Sequence, residues 1–183
     1  SRRHWIRLNL KSTKMNATFQ YKWWIAVVLS IGVQLLFLRD LALFYYGFCF
    51  LYLWAIIKAP IETPPAYLIL GGFVLGWLLD VFYNTHGMHA FATVLVAWLR
   101  PTFFNILTPA NGYDERSSIS LEEMKWMWFY PYLILMLFTH HFVLFQLEAS
   151  ESSLFGLSLL KAFLSTILGV IVFTLLELFN KGK

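Results

Sequence analysis

Apolar runs occupy Trp23 to Leu38, Leu41 to Ile57, Ala66 to Tyr83, Met88 to Leu107, Met127 to Leu147 and Leu154 to Phe179, separated by short polar stretches. The runs are continuous rather than alternating, the pattern of helices in lipid and not of a membrane barrel. A helix needs about 20 residues to cross roughly 30 Å of hydrocarbon, so the first two runs are short. Only Arg39-Asp40 parts them. They are read as a tight hairpin of two short spans, the alternative being one span followed by an interfacial segment from Leu41. Pro60, Pro64 and Pro65 end the second run, and Asn84 to Gly87 turn the chain between the third and fourth. The expected fold is an all-α integral membrane protein, a single six-helix transmembrane bundle over residues 15–183.

Composition sharpens that picture. The 183 residues are 59% hydrophobic and 13% charged, and a mean hydropathy of +0.64 is too high for a soluble domain of this size. The net charge of +4 does not point to nucleic acid, because most of the excess lies in the first 22 residues, where it orients a membrane protein. With the N-terminus inside, Arg2, Arg3, Arg7, Lys11, Lys14, Lys22, Lys58, Arg116, Lys125, Lys181 and Lys183 collect on the cytoplasmic side, against Arg39 and Lys161 outside. Both termini are therefore expected in the cytoplasm. Residues 1–14, ahead of Met15, read as an extension of foreign or upstream origin, and the run after Lys22 lacks a small-residue cleavage site, so the first helix is expected to remain. Cys49, the single cysteine, leaves no internal disulfide or thiolate cluster. The aromatic residues crowd span ends, as at Trp23-Trp24, Trp126, Trp128 and Tyr130, which an interfacial belt explains without a ligand.

Candidate chemistry is sparse. Asp80 is the only acid at mid-span depth, where an ionised group costs roughly 2.5 to 3.5 kcal/mol on insertion scales, so it should face other helices or a wet cavity. Gly72, Gly76 and Asp80 recur every fourth residue and share one helix face, where the glycines admit a close neighbour, either inside the bundle or on a partner. Asp80 is expected to hydrogen-bond the turn or the next helix, with His89 and Asn84 as candidates. A proton relay through Asp80 and His89 is the competing reading, set against a chain without the inverted repeats of many carriers. Arg100 and Glu177 near one membrane face and Glu148 near the other read as snorkelling or interfacial groups. Lys161, two turns inside the last run, needs a partner, and Glu148 lies on its side of the membrane. The pairs His86/His89 and His140/His141 suit cross-helix hydrogen bonds better than a metal, since adjacent helical residues point about 100° apart. In the loop from Thr108 to Lys125, Ser120 and Glu123 form a capping-box pattern. No nucleophile elbow, zinc-protease helix or phosphate-cradling loop is present, and no cofactor or metal is expected.

The order Gly72, Gly76, Asp80, then Asn84-Thr85-x-Gly87-x-His89-Ala90 and Arg100-Pro101, resembles the signature of the bacterial rod shape-determining membrane protein family MreD. The early aromatic hairpin, His140-His141-Phe142 with Glu148, and the overall size resemble one branch of that family, and the likeness runs from Met15 onward. It implies a non-enzymatic subunit of the cell-elongation complex in the bacterial inner membrane, supporting side-wall peptidoglycan synthesis. The implied partner is MreC, and indirectly the elongation transpeptidase, RodA and MreB. The family is also similar in fold to the six-helix substrate-binding subunits of energy-coupling-factor vitamin transporters, which implies the alternative of a small-molecule-binding transport subunit. The likeness carries no catalytic residue. It implies helix-packing or partner-contact roles for Gly72, Gly76, Asp80, Asn84, Gly87, His89 and Arg100.

Overall fold

The computed structural model describes residues 17–38, 42–43, 45–109, 112–113, 118–149 and 152–180. Residues 1–14, and with them the expected extension, lie outside the described residues. Helix α1 (Ala17–Val33) runs on into a π-helical stretch, Gln34–Leu38. A two-stranded antiparallel ribbon follows, β1 (Ala42–Leu43) with β2 (Gly47–Phe48), paired Ala42 to Phe48 and Leu43 to Gly47. After a 3₁₀ turn at Leu51–Leu53 come α2 (Trp54–Ile57), α3 (Pro65–Tyr83), α4 (Met88–Ile106), α5 (Leu121–Met124), α6 (Trp126–Glu148) and α7 (Phe155–Asn180).

Four of the expected spans coincide with α3, α4, α6 and α7 to within a residue or two. Among the described residues three helices, α3, α6 and α7, are long and apolar enough to cross a membrane, and Ile25–Leu38 forms a shorter apolar helix. Helix α4 is as long as α3 but less apolar, because its buried side carries His89, Thr93 and Arg100. The boundaries follow local chemistry. Pro65 opens α3 at its first position, where a missing N–H costs nothing, and Asn84 closes it in the left-handed conformation at φ 58°.

The run Leu41 to Ile57 departs from expectation, since it is neither a second span nor one continuous helix. The chain after the ribbon, with the 3₁₀ turn and the single turn of α2, threads the interior instead, with Phe50, Tyr52, Leu53, Ile56, Ile57 and Ala59 at most 5% exposed. An apolar run reads the same whether its surroundings are lipid or protein. Irregular backbone is tolerated at membrane depth only in the second case, where neighbouring side chains can take up its hydrogen bonds. This segment runs alongside α4: Phe50 packs on His89, Tyr52 bonds Thr93, and Ala59 meets Arg100. His89 and Arg100 are eleven residues apart, which is about 17 Å of helix. Helix α3 packs on α4, α4 on α6 and α6 on α7, and the core lies where α4, α6 and the threaded segment meet.

Candidate functional site

The turn between α3 and α4 is built around Asp80. Gly87, at φ 94°, precedes α4 and has no side chain with which to cap it. The first-turn donors of a helix need partners, and Asp80 reaches across from α3 to supply them. Its Oδ1 accepts the His89 N–H and its Oδ2 the Ala90 N–H, both at 2.9 Å, and the Thr85 hydroxyl donates to Oδ1 at 2.5 Å. A carboxylate at a helix N-terminus is also favoured by the helix dipole. Asp80 is thus an N-cap supplied by the preceding helix, and it is 5% exposed.

The two glycines make this reach possible. A Cβ on Gly76 would lie 2.4 Å from Ala90 Cα, so α4 occupies the space an alanine would need. At Gly72 the nearest atom to such a Cβ is Thr93 O at 3.3 Å. The small-residue face therefore packs inside the monomer, and no surface remains there for a partner. Asn84 acts through its backbone, its N–H returning to Asp80 O. His89 is part of the lock: Nδ1 stands 2.9 Å from Thr85 Oγ1 and 3.3 Å from Asp80 Oδ1.

Arg100 is not a snorkelling residue. At 2% exposure it lies inside, Nε donating to the Tyr132 hydroxyl at 3.0 Å and Nη2 to the carbonyls of Ala59 and Pro60, with its guanidinium 4.7 Å from the Phe104 ring centre. Tyr132 in turn donates to Ile57 O at 3.0 Å. The Leu51 N–H goes to Gln34 Oε1 at 2.6 Å, and the Phe48 N–H to Ser165 Oγ at 2.9 Å. These polar side chains have one shared task, satisfying the backbone of the threaded segment.

Glu177 is also buried rather than interfacial, at 3% exposure. It pairs with Lys58 at 2.5 Å and accepts the Leu121 N–H at 3.1 Å, tying α7 to the end of the threaded segment and to α5. Burial pushes the Lys58 ammonium below the ordinary lysine pKa, while the Glu177 carboxylate pulls it partway back. Glu148 and Lys161 do pair, at 3.4 Å, and the Glu148 side chain is 52% exposed. Ser120 Oγ caps α5 by accepting the Glu123 N–H at 3.2 Å, and the Glu123 carboxylate answers at Ser118 N rather than at Ser120.

Three histidines cluster about Phe50, whose ring centre is 5.4 to 5.6 Å from those of His89, His140 and His141, while His86 is exposed. His140 Nε2 lies 2.7 Å from the Tyr52 hydroxyl, and His141 Nδ1 lies 3.1 Å from Thr166 Oγ1 on α7. Among the described residues, no group of three His, Cys, Asp or Glu is placed to hold a metal ion. No family model, curated protein or solved structure matches this chain. Beside the cluster a cleft of about 130 Å³ opens at the α3–α4 turn, walled by Phe48, Cys49, Phe50, Met88, Leu144 and Phe145, with Thr85, His89 and Glu148 among its polar residues.

Of the residues singled out by sequence, Gly76, Asp80, Asn84, Gly87 and His89 come together at one turn, and Gly72 packs on α4 farther from it, against Thr93 and Ala97. Arg100 stands apart, three turns along α4. Sequence reasoning missed Thr85, Tyr52, Tyr132 and Gln34. Gln34 carried a usable signal, as an amide inside an apolar run, but hydroxyl-bearing aromatics are too common at span ends to stand out.

Proposed function

We infer that the chain is a non-enzymatic scaffold subunit of the bacterial cell-elongation complex, an MreD-type protein of the inner membrane with both termini in the cytoplasm. In this reading it binds MreC and, through it, supports side-wall peptidoglycan synthesis by the elongation transpeptidase and RodA, in register with MreB. One observation carries the reading. Four residues of the ordered motif, Asp80, Thr85, His89 and Arg100, use their side chains to hold helices and threaded backbone together: Asp80 takes two backbone N–H groups and a hydroxyl, Thr85 lies between Asp80 and His89, and Arg100 takes two carbonyls and a phenol. A lone acid and a lone base fixed in this way give rigidity, which a docking platform needs. The lysine and arginine asymmetry along the chain supports the orientation.

A second reading, the binding subunit of a small-molecule transporter, is favoured by the cleft beside His89. Its volume of about 130 Å³ falls below the roughly 300 to 1,000 Å³ typical of sites for vitamin-sized ligands. Affinity purification of the tagged chain from native membranes separates the two. Recovery of MreC with cell-wall synthases is expected, and recovery of transporter ATPases in their place overturns the scaffold reading.

A further inference from the structure

Lys125 stands in a conformation that residues with side chains avoid. It is the single residue joining α5 to α6, and its φ of 63° with ψ of 160° lies outside the left-handed helical well that Asn84 occupies. That corner of backbone space is essentially reserved for glycine, and a residue with a β-carbon stays there only while its surroundings force it. The forcing contacts sit on either side of the joint. Beyond it, Lys125 O accepts the N–H groups of Trp128 and Phe129 and so belongs to the first turn of α6. Before it, α5 buries none of its own residues and is fastened from outside: Glu177 Oε2 accepts the Leu121 N–H at 3.1 Å, and the nearby Ile119 is buried in the core. Glu177 is itself steadied by Lys58 at Oε1. A hollow of about 320 Å³ bordered by Leu121, Glu122, Lys125, Trp126 and Tyr130 leaves the joint unpacked on one side.

We propose that residues 118–125 form a strap under tension, in which Lys125 is the hinge and Glu177 the latch. When Glu177 releases Leu121, the hinge relaxes into an ordinary conformation, α5 leaves α7 and Ile119 leaves the core. The strained joint makes the closed position costly, and one carboxylate secures it. A basic side chain that competes for Glu177 therefore shifts the strap to its open position. The device rests on local geometry and stands whether or not the scaffold reading does.

Amide hydrogen exchange of the full chain in lipid nanodiscs reads the opening at Leu121, Glu123 and Met124, whose N–H groups are bonded in the closed strap. A lone helical turn keeps little protection once undocked, so their exchange follows the open population. Lys125→Gly removes the strain and should slow this exchange about tenfold, whereas Lys125→Ala, which keeps a β-carbon, should not slow it. Glu177→Gln breaks the pair with Lys58 and weakens the acceptor for Leu121; it should quicken exchange about tenfold, and adding Lys125→Gly should bring it back toward the parent rate. Protection in the middle of α6 should be the same in the parent and in both Lys125 variants. Exchange at 121–124 that is unchanged or faster in Lys125→Gly, or that slows equally in α6, overturns the strap even if Glu177→Gln fails to fold, as does a folded Glu177→Gln variant that exchanges like the parent.

Discussion

Asp80 and Gly76 answer two halves of one problem, how two helices joined by a four-residue turn can touch while the second is still properly capped. The glycine lets Ala90 approach, and the acid then reaches the donors that Gly87 leaves unpaired. Asp80→Asn keeps the shape but turns one acceptor into a donor facing an N–H. It should lower stability by about 2 kcal/mol, the weight of a charged hydrogen bond set against an orphaned donor. Thermal unfolding in detergent measures this, and a midpoint unchanged from the parent would show that the carboxylate is dispensable to the hairpin. If the scaffold reading holds, the same variant at unchanged membrane abundance should weaken recovery of MreC and distort rod shape; intact recovery and shape would remove Asp80 as a determinant of assembly.

At the scale of elements, adjacent and nearby glycines on α3 offer a graded test. Gly71 has open space where a Cβ would go, Gly72 a contact at 3.3 Å, and Gly76 a clash at 2.4 Å with backbone. Alanine at 71 should be neutral or stabilising by up to about 1 kcal/mol through helix propensity. At 76 it must push α3 from α4 and should cost about 3 kcal/mol or more, with 72 between them. Equal effects at 71 and 76 would contradict the packing described here. The threaded segment makes a second test. Arg100→Lys keeps the charge but loses the planar fork that serves Tyr132 and two carbonyls, and it should cost about 2 to 4 kcal/mol. Hydrogen exchange should quicken around residues 51–59 in this variant before it does so in α7; uniform protection would show that the arginine does not hold that segment. Sequence pattern placed α3, α4, α6 and α7 well, because a long apolar run bounded by proline, glycine and asparagine has few other solutions. It misplaced residues 41–57, because apolarity reports burial and not what provides it.

For the molecule as a whole, the outward faces of α3 and α7 are apolar along their length, with Phe73, Val74 and Trp77 on α3 and Phe163 and Ile171 on α7 all more than half exposed. Such a surface is stable in lipid and not in water. Val74→Arg at mid-helix should lower membrane insertion of α3 by about 2.5 to 3.5 kcal/mol, while Val74→Leu should be neutral. A reporter of translocon insertion reads the difference, and equal insertion of both would mean that this face does not meet hydrocarbon.

The order of residues along the chain determined the membrane character, the extent of four long helices, and the expectation that Asp80 joins the third apolar run to the fourth, because each rests on local periodicity, helix-stopping residues and the cost of a charge in lipid. The tertiary structure decided the rest. It assigned the glycine face to the monomer's own α4, turned Arg100 and Glu177 inward, and drew Gln34, Tyr132 and Ser165 from distant helices to a threaded backbone whose needs appear only once the chain is folded around it.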